Sequence, residues 1–448
     1  MEREIPEVEN ALEKLSRNKA NDEATRLLAE ASKSSPSVRG RLAEPEALRI
    51  LIQIVECNLG TSSSENLDQA LRCIGNACAD NDAAREAIIP LGFNWAIRAL
   101  GGKTNNATRL LTTKVLFNIC HEHVPSQQQC YRERVHYALI PFLGTEFAIG
   151  NVDENASPAI DLLFWISGHK AELEANLSER PPEEIEGLLL LLPGFYAETA
   201  DVDNYGCILE AMLVFLRDSL VQESMSAGVP QLLQILRITD EKSRQAGDPE
   251  DKKILDPLCT SVIWCLSDIA AQPEFAELAR GSMLIQILVD EIKTHAHIDS
   301  TGADVANKTM LTGSCEVLGN VLWKSEPEDY ACLVVEYSLD DVLFSAITRV
   351  VDGPSNAPAL HSMAGVLIHL SRSSVPVREH MGSRQDTLPS LQRLCRHEMS
   401  QIKQDGVKLL RALGRDCAAN QEQFGDLAKE AMLSLSESNG TAEAHAPN

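Results

Sequence analysis

Apolar residues recur three and four positions apart through most of this chain, the period of an α-helix that buries one face. Residues 8–15 and 24–31 show it first. Residues 45–59 continue it, with Glu46 in the first turn, where a carboxylate suits the helix dipole. Ser-rich stretches at 32–37 and 61–66 interrupt the pattern. The most sharply drawn helix covers residues 67–79. Its apolar face runs through Leu71, Ile74, Ala77 and Cys78, it carries the pair Gly75–Asn76, and it stops at Asp80–Asn81. A short helix over 84–88, a turn at Pro90-Leu91-Gly92 and a helix over 95–100 follow. No segment shows the period-two alternation of a half-buried strand.

That layout returns along the chain. Residues 109–121 repeat the long helix and place Asn118 42 positions after Asn76, within the 40–47 residues of armadillo and HEAT repeats. A third copy, VLGNVLWK at 317–324, carries Asn320 and Trp323. Looser copies occupy 155–192, 204–236, 256–293, 357–395 and 401–436. Units of this kind bury their apolar faces only by stacking. The fold class is therefore all-α, an armadillo/HEAT-type right-handed α-solenoid of about eight or nine repeats over residues 1–436. Its concave face is expected mainly from the third helix of each repeat. Residues 239–254 read as a flexible polar linker, 296–303 as a loop and 437–448 as a disordered tail.

Composition sharpens this picture. With 448 residues and 44% hydrophobic positions the chain can bury a large core. Only 4% of residues are aromatic, so the core is mostly Leu, Ile, Val and Ala, as packed helices prefer. The net charge of −25 argues against general nucleic-acid or anionic-membrane binding. Residues 151–350 hold 35 carboxylates against 13 Lys and Arg, a net of −22. Such a middle is either solvated surface or a docking field for a basic partner. The 12 Cys form no C-x-x-C pair, and Cys73, Cys78, Cys120, Cys265 and Cys315 fall on apolar faces, as small core residues of a reducing compartment do. The segment MEREIPEVEN lacks the apolar core of a secretory signal, and no apolar run is long enough to span a bilayer. The expected location is the cytosol, with the nucleus as alternative, and no stable membrane insertion.

No phosphate-binding, dinucleotide-binding, nucleophile-elbow or zinc-protease motif occurs, so neither catalytic residues nor a cofactor are expected. His121 and His123 flank Glu122, and His295 and His297 alternate likewise, but neither pair has further metal ligands close in sequence. The amides are more informative. Asn is a mediocre helix former, yet Asn76, Asn118 and Asn320 each sit inside an apolar helix. Each side chain either bonds the neighbouring repeat and holds register, or joins a ladder that binds an extended peptide backbone; the two roles are compatible. Of the Trp residues, core packing is the default for Trp95, Trp165 and Trp264, whereas Trp323, just past a Gly-Asn pair, is the best placed to line a groove.

The stretch LRCIGNACADNDAAREAI resembles the repeats of SmgGDS, the armadillo family that stimulates nucleotide exchange on small GTPases. ATRLLTTKVLFNICHEHVPSQQQCYRERVHYALIPFL is similar to the repeat that follows in that family, including a closing I-P-x-L turn, and CEVLGNVLWKSEPEDYACLVVEYSLDDVL is similar in spacing. The resemblance spans about 60–430 and is specific only in these stretches; other armadillo families share the architecture. It implies a non-enzymatic exchange factor and chaperone for Rho-, Rap- or Ras-type GTPases with polybasic, often prenylated tails. It also implies a monomer that holds the tail in an acidic groove. The implied contact positions are Asn76, Asp80, Asn81, Asn118, Glu122 and Asn320, and the reading of the Trp residues adds Trp323 to the groove. An armadillo adaptor that binds peptides without exchange activity is the competing expectation. The absence of any W-x-x-x-N makes a nuclear import receptor the less natural form of it.

Overall fold

The computed structural model describes residues 4–19, 21–60, 65–101, 104–150, 156–173, 182–280, 282–296, 308–350 and 356–443, without the side chains of 219, 220, 224, 226 and 434–443. Helix accounts for 83% of the structure, and no strand occurs among the described residues. The chain divides into two compact units, Met1–Val221 and Gln222–Asn448.

The N-terminal unit contains α1 (Glu4–Arg17), α2 (Asp22–Ser34), α3 (Pro36–Leu42), α4 (Pro45–Asn58), α5 (Glu65–Cys78), α6 (Asp82–Ile88), α7 (Asn94–Leu100), α8 (Asn106–Cys120), α9 (Val124–Arg132), α10 (His136–Ala148), α11 (Ser157–Ser167), α12 (Lys170–Leu173), α13 (Glu183–Phe195) and α14 (Val202–Leu216). Short α15 (Ser219–Ser224) straddles the boundary. The C-terminal unit contains α16 (Val229–Gln245), α17 (Pro249–Ala270), α18 (Phe275–Arg280), α19 (Leu284–Ala296), α20 (Lys308–Trp323), α21 (Ala331–Val335), α22 (Leu339–Arg349), α23 (Ala357–Leu370), α24 (Val375–Gly382), α25 (Thr387–Cys395), α26 (Ser400–Gly414) and α27 (Ala418–Glu443).

Helix starts are written into the sequence. Asn81, Asn105 and Asp201 lend a side-chain oxygen to an orphan N–H of α6, α8 and α14, at 3.3, 2.9 and 2.8 Å. Helix ends follow an equally local rule. A side chain near the start of the helix that follows reaches back seven residues to a last carbonyl of the long first helix. Arg85 bonds Cys78 at 3.1 Å, Gln127 bonds Cys120 at 2.8 Å, and Asn420 bonds Leu413 at 2.9 Å.

Within each unit the repeats stack in layers. The long helices α2, α5, α8, α11 and α14 lie side by side in the N-terminal unit, as do α17, α20, α23 and α26 in the C-terminal unit. Third helices form another layer, α7, α10 and α13 in one unit and α19, α22 and α25 in the other. The core lies between these layers. On α5 alone, Leu67, Leu71 and Ile74 are buried, each contributing roughly 1.5–3 kcal/mol of hydrophobic stabilisation.

Three expectations are revised. Residues 239–254 are not a linker: α16 continues to Gln245, and α17 begins at Pro249, capped by Asp248. The I-P-x-L element at 140–143 is no turn but lies inside α10, with Pro141 in the helix interior. The tail is helical through Glu443 as part of α27, with 444–448 outside the described residues. Asn76, Asn118 and Asn320 lie on the long first-layer helices, where the sequence places them, and the third helices from which the concave face was expected form a separate layer.

Candidate protein-binding faces

The first-layer amides all turn the same way. Asn118 Nδ2 donates to the Gly75 carbonyl of α5 at 3.2 Å. Asn76 Nδ2 donates to Ser32 Oγ of α2 at 3.0 Å, and Ser32 spends its own proton on the Ala29 carbonyl, so its oxygen is free to accept. Asn320 Nδ2 donates to both the carbonyl and the hydroxyl of Ser267 on α17, each at 3.2 Å. The register-holding role is therefore real in every case. The pair's glycine has a reason too: a Cβ on Gly75 would stand 3.2 Å from Val115 Cγ2, so its absence lets α8 approach α5 closely.

The turn after each long helix places acid on the surface. Asp80 (φ 50°) and Glu122 (φ 53°) occupy the left-handed region at matching points of consecutive repeats, and both side chains are exposed. That backbone conformation is sparse for residues with a Cβ, though Asp tolerates it better than most. Asn81 has no such freedom. Its oxygen caps α6 and its amide donates to the Ala77 carbonyl at 3.2 Å, so both ends of the side chain serve the turn. Asn76, Asp80 and Asn81 together with Arg39 and Pro36 line a polar cleft of about 440 Å³.

Further along the same layer lies a cluster that inspection of single motifs missed. Neither α11 nor α14 contains a Lys or Arg. Burial and then the neighbouring Asp201 raise the Asp161 carboxyl above the usual range. The half-buried Cys207 thiol is pushed up to about 12 by burial first, and then by Asp161, Glu210, Asp203 and Asp201. Four carboxylates thus converge on one stretch of the face. Beside it, Trp165 packs against Phe117 and His121 at ring separations of 5.1 and 5.7 Å.

In the C-terminal unit Asn320 and Trp323 share the last turns of α20. Trp323 is 62% exposed, and Trp264 on α17 is 65% exposed, against its expected core placement. The reason is angular: Val262, Leu266 and Ile269 take the buried face of α17, and Trp264 points away from it. Trp95 is core, with its indole N–H on the Gly92 carbonyl at 3.0 Å. The surroundings of Trp323 are cationic. The Arg372 guanidinium sits over its ring at 5.5 Å, the His369 ring meets its edge at 5.6 Å, and Lys324 is exposed next to it.

The alternating histidines go to different environments. His121 joins the aromatic cluster, whereas His123 is buried and bonds Ser126 Oγ at 2.8 Å. His295 lies against Glu291 at 3.2 Å, and His297 lies outside the described residues. No group of three His, Cys, Asp or Glu in a metal-binding arrangement occurs among the described residues. No described helix is long and apolar enough to cross a membrane. One further space is apolar, a cavity of about 440 Å³ between α26 and α27 lined by Val407, Leu410, Phe424, Ala428 and Met432.

No family model matches the chain, and no curated protein does. Solved structures do match over most of its length. One is an engineered protein at 15% identity, covering 96% of this chain and 94% of that one, with a TM-score of 0.47. Another comes from work on a phosphorylation switch that controls the interaction between cadherin and β-catenin. It is 14% identical, covers 90% of this chain and 68% of that one, and has a TM-score of 0.50. At these identities the likeness to the second is one of fold.

Proposed function

We propose that this chain is a non-enzymatic exchange factor and chaperone for small GTPases of the Rho, Rap or Ras type, and that it takes their polybasic tail on the acidic first-layer face of the N-terminal unit. The carrying observation is the convergence of Asp161, Asp201, Asp203 and Glu210 around Cys207, on two helices without a compensating cation. Asp80 and Glu122, held outward by their turns, extend the same sign of charge. A Lys- and Arg-rich segment is steered to such a face, and salt weakens the attraction. The mechanism needs no covalent step. A scaffold that binds nucleotide-free GTPase better than the GDP-bound form lowers GDP affinity by the same factor.

The test is release of labelled GDP from a panel of Rho, Rap and Ras proteins with and without their basic tails. Acceleration that depends on the tail and declines with salt is expected, and so is its loss in the Asp161→Lys/Asp203→Lys/Glu210→Lys variant. No acceleration of any GTPase, with salt-sensitive binding of tail peptides retained, would favour the second reading, an armadillo adaptor for basic segments. The half-buried first-layer amides support that reading, because with Nδ2 spent on the preceding repeat their Oδ1 atoms would accept from a peptide backbone whether or not a folded GTPase is attached.

A further inference from the structure

Lys324 and Arg372 each tie consecutive repeats together. Lys324 Nζ donates to the carbonyl of Ala271 at the end of α17, and Arg372 donates to the Trp323 carbonyl at the end of α20 at 3.4 Å. These contacts use one donor of an ammonium that has three and one of a guanidinium that has five. Both side chains are exposed, and neither pairs with a carboxylate among the described residues. His369, the third group at the spot, is driven down to about 4 by burial and then by Arg372, so it is neutral at physiological pH and adds no acid. Arg372 and His369 hold the Trp323 ring from one face and one edge, and the rest of the ring is open to solvent. A fixed, exposed indole is a typical anchor in protein recognition.

We propose that Trp323, Arg372 and Lys324 form a docking spot for an extended segment of a partner protein in which a large apolar side chain stands next to a carboxylate. The apolar side chain covers the open face of Trp323, and the carboxylate takes the unused donors of Arg372 and Lys324. A Lys or Arg of the partner is disfavoured here, since Arg372 already covers one face of the ring and Lys324 adds a second cation at the next residue. A polyanion such as single-stranded nucleic acid also offers stacking and negative charge, but a net charge of −25 repels a long phosphate chain more than a single carboxylate. The inference rests on reading the first-layer face as a docking face, and not on the partner being a GTPase.

The probe is an acetylated, amidated peptide, Gly-Ser-Phe-Glu-Ser-Gly, titrated into the full chain by calorimetry and by quenching of indole fluorescence. Parallel titrations use Phe-Gln, Phe-Lys and Ala-Glu versions and a deoxythymidine decamer. Binding is expected for the Phe-Glu peptide, weaker by about tenfold for Phe-Gln, the scale of one charge-assisted hydrogen bond. Arg372→Gln and Trp323→Leu should each weaken it by a similar factor, Arg372→Lys should restore part of it, and Trp264→Leu should leave it unchanged. Arg372→Gln also removes a contact between repeats, so Lys324→Gln provides a second variant and thermal melts confirm folding. Equal binding of Phe-Lys, absence of binding by the Phe-Glu peptide, or tighter binding of the decamer overturns the proposal. Peptide titrations contain no GTPase and GDP-release assays contain no peptide, so the two readings fail separately.

Discussion

In the N-terminal unit Asn118 binds a backbone carbonyl that Gly75 leaves open, and the surface beyond it becomes acidic along α11 and α14. In the C-terminal unit Asn320 binds Ser267, and the surface beside it becomes an indole among cations. The inner halves of these side chains do the same work, while their outer surroundings differ, carboxylates along α11 and α14 in one unit and an exposed indole under Arg372 in the other. A stacked repeat fixes what faces the next repeat and leaves the outer side free to diverge. The Gly-Asn pair therefore reports on architecture. What a face binds must be sought in residues around the pair, which follow no repeat.

The largest expected effect concerns the inner side. Asn420, 1% exposed, donates to the Arg378 carbonyl at 2.8 Å and the Leu413 carbonyl at 2.9 Å. Asn420→Ala strands two buried acceptors and should lower stability by roughly 2–4 kcal/mol. Asn76→Ala, which removes one bond from a half-buried amide, should cost about 1 kcal/mol. Urea denaturation of both variants checks the ranking, and equal losses would mean that burial does not decide what these amides contribute.

Two histidines should make the units respond to pH with opposite sign. Burial first, and then Arg134 and Lys170, bring His136 down to about 3, in a setting shared with Tyr131, Tyr137 and Phe215. Between about 3 and the ordinary 6.5 the unfolded chain binds a proton here and the folded chain does not. Its contribution is complete above 6.5 and falls with pH, reaching a loss of about 2 kcal/mol near pH 5 at about 1.4 kcal/mol per pH unit. His361 behaves the other way. A 2.6 Å hydrogen bond to Asp405 raises it, so its contribution is complete below 6.5 and is lost as pH rises through the raised value. Half of its side chain is exposed, which limits the effect to under about 1 kcal/mol. Denaturation at pH 5, 7 and 8 of His136→Phe and His361→Gln tests this. Each substitution should flatten one slope and leave the other.

How much of this was legible in the sequence follows from the same division. Helical period, a 42-residue offset and Asn in apolar helices suffice for an all-α stack of repeats, because those signals are local and recur. The polar run at 239–254 misled because most of its charges, though not the buried Asp240, lie on the outer side of helices that continue beneath them, with Asp248 serving as a cap. Asn81, an implied contact position, also caps α6, since the residue types that stop helices also suit binding. The carboxylates around Cys207 lie on two helices about 40 residues apart, and the cations at Trp323 come from two repeats. Only packing brings such sets together.

Gly75 and Gly319 hold the same place in their motifs but not the same space. The nearest atom to a Cβ on Gly319 is Val366 Cγ2 at 3.9 Å, ordinary contact, against 3.2 Å at Gly75. Gly319→Ala should gain about 0.5 kcal/mol from helix propensity, whereas Gly75→Ala should lose about 1 kcal/mol to crowding. Thermal melts showing the same sign for both would mean that the two stacks are equally tight.

The smallest effect addresses the acidic face directly. Cys207 is half-buried, and the carboxylates beside it hold its thiol in the protonated, unreactive form. Asp203→Asn/Glu210→Gln removes two of those charges without changing side-chain size. Alkylation of Cys207 by iodoacetamide at pH 8, followed by peptide mass spectrometry with exposed Cys57 as internal standard, should accelerate a few-fold at low salt. Solvent screens carboxylates on an exposed face, so the acceleration should shrink at high salt. Burial is the first cause of the raised value and is untouched by the substitutions, so the thiol should stay slower than Cys57 even in the variant. An unchanged rate would mean that the four carboxylates act as separate solvated charges, and the acidic face would then exert no concerted pull on a basic segment.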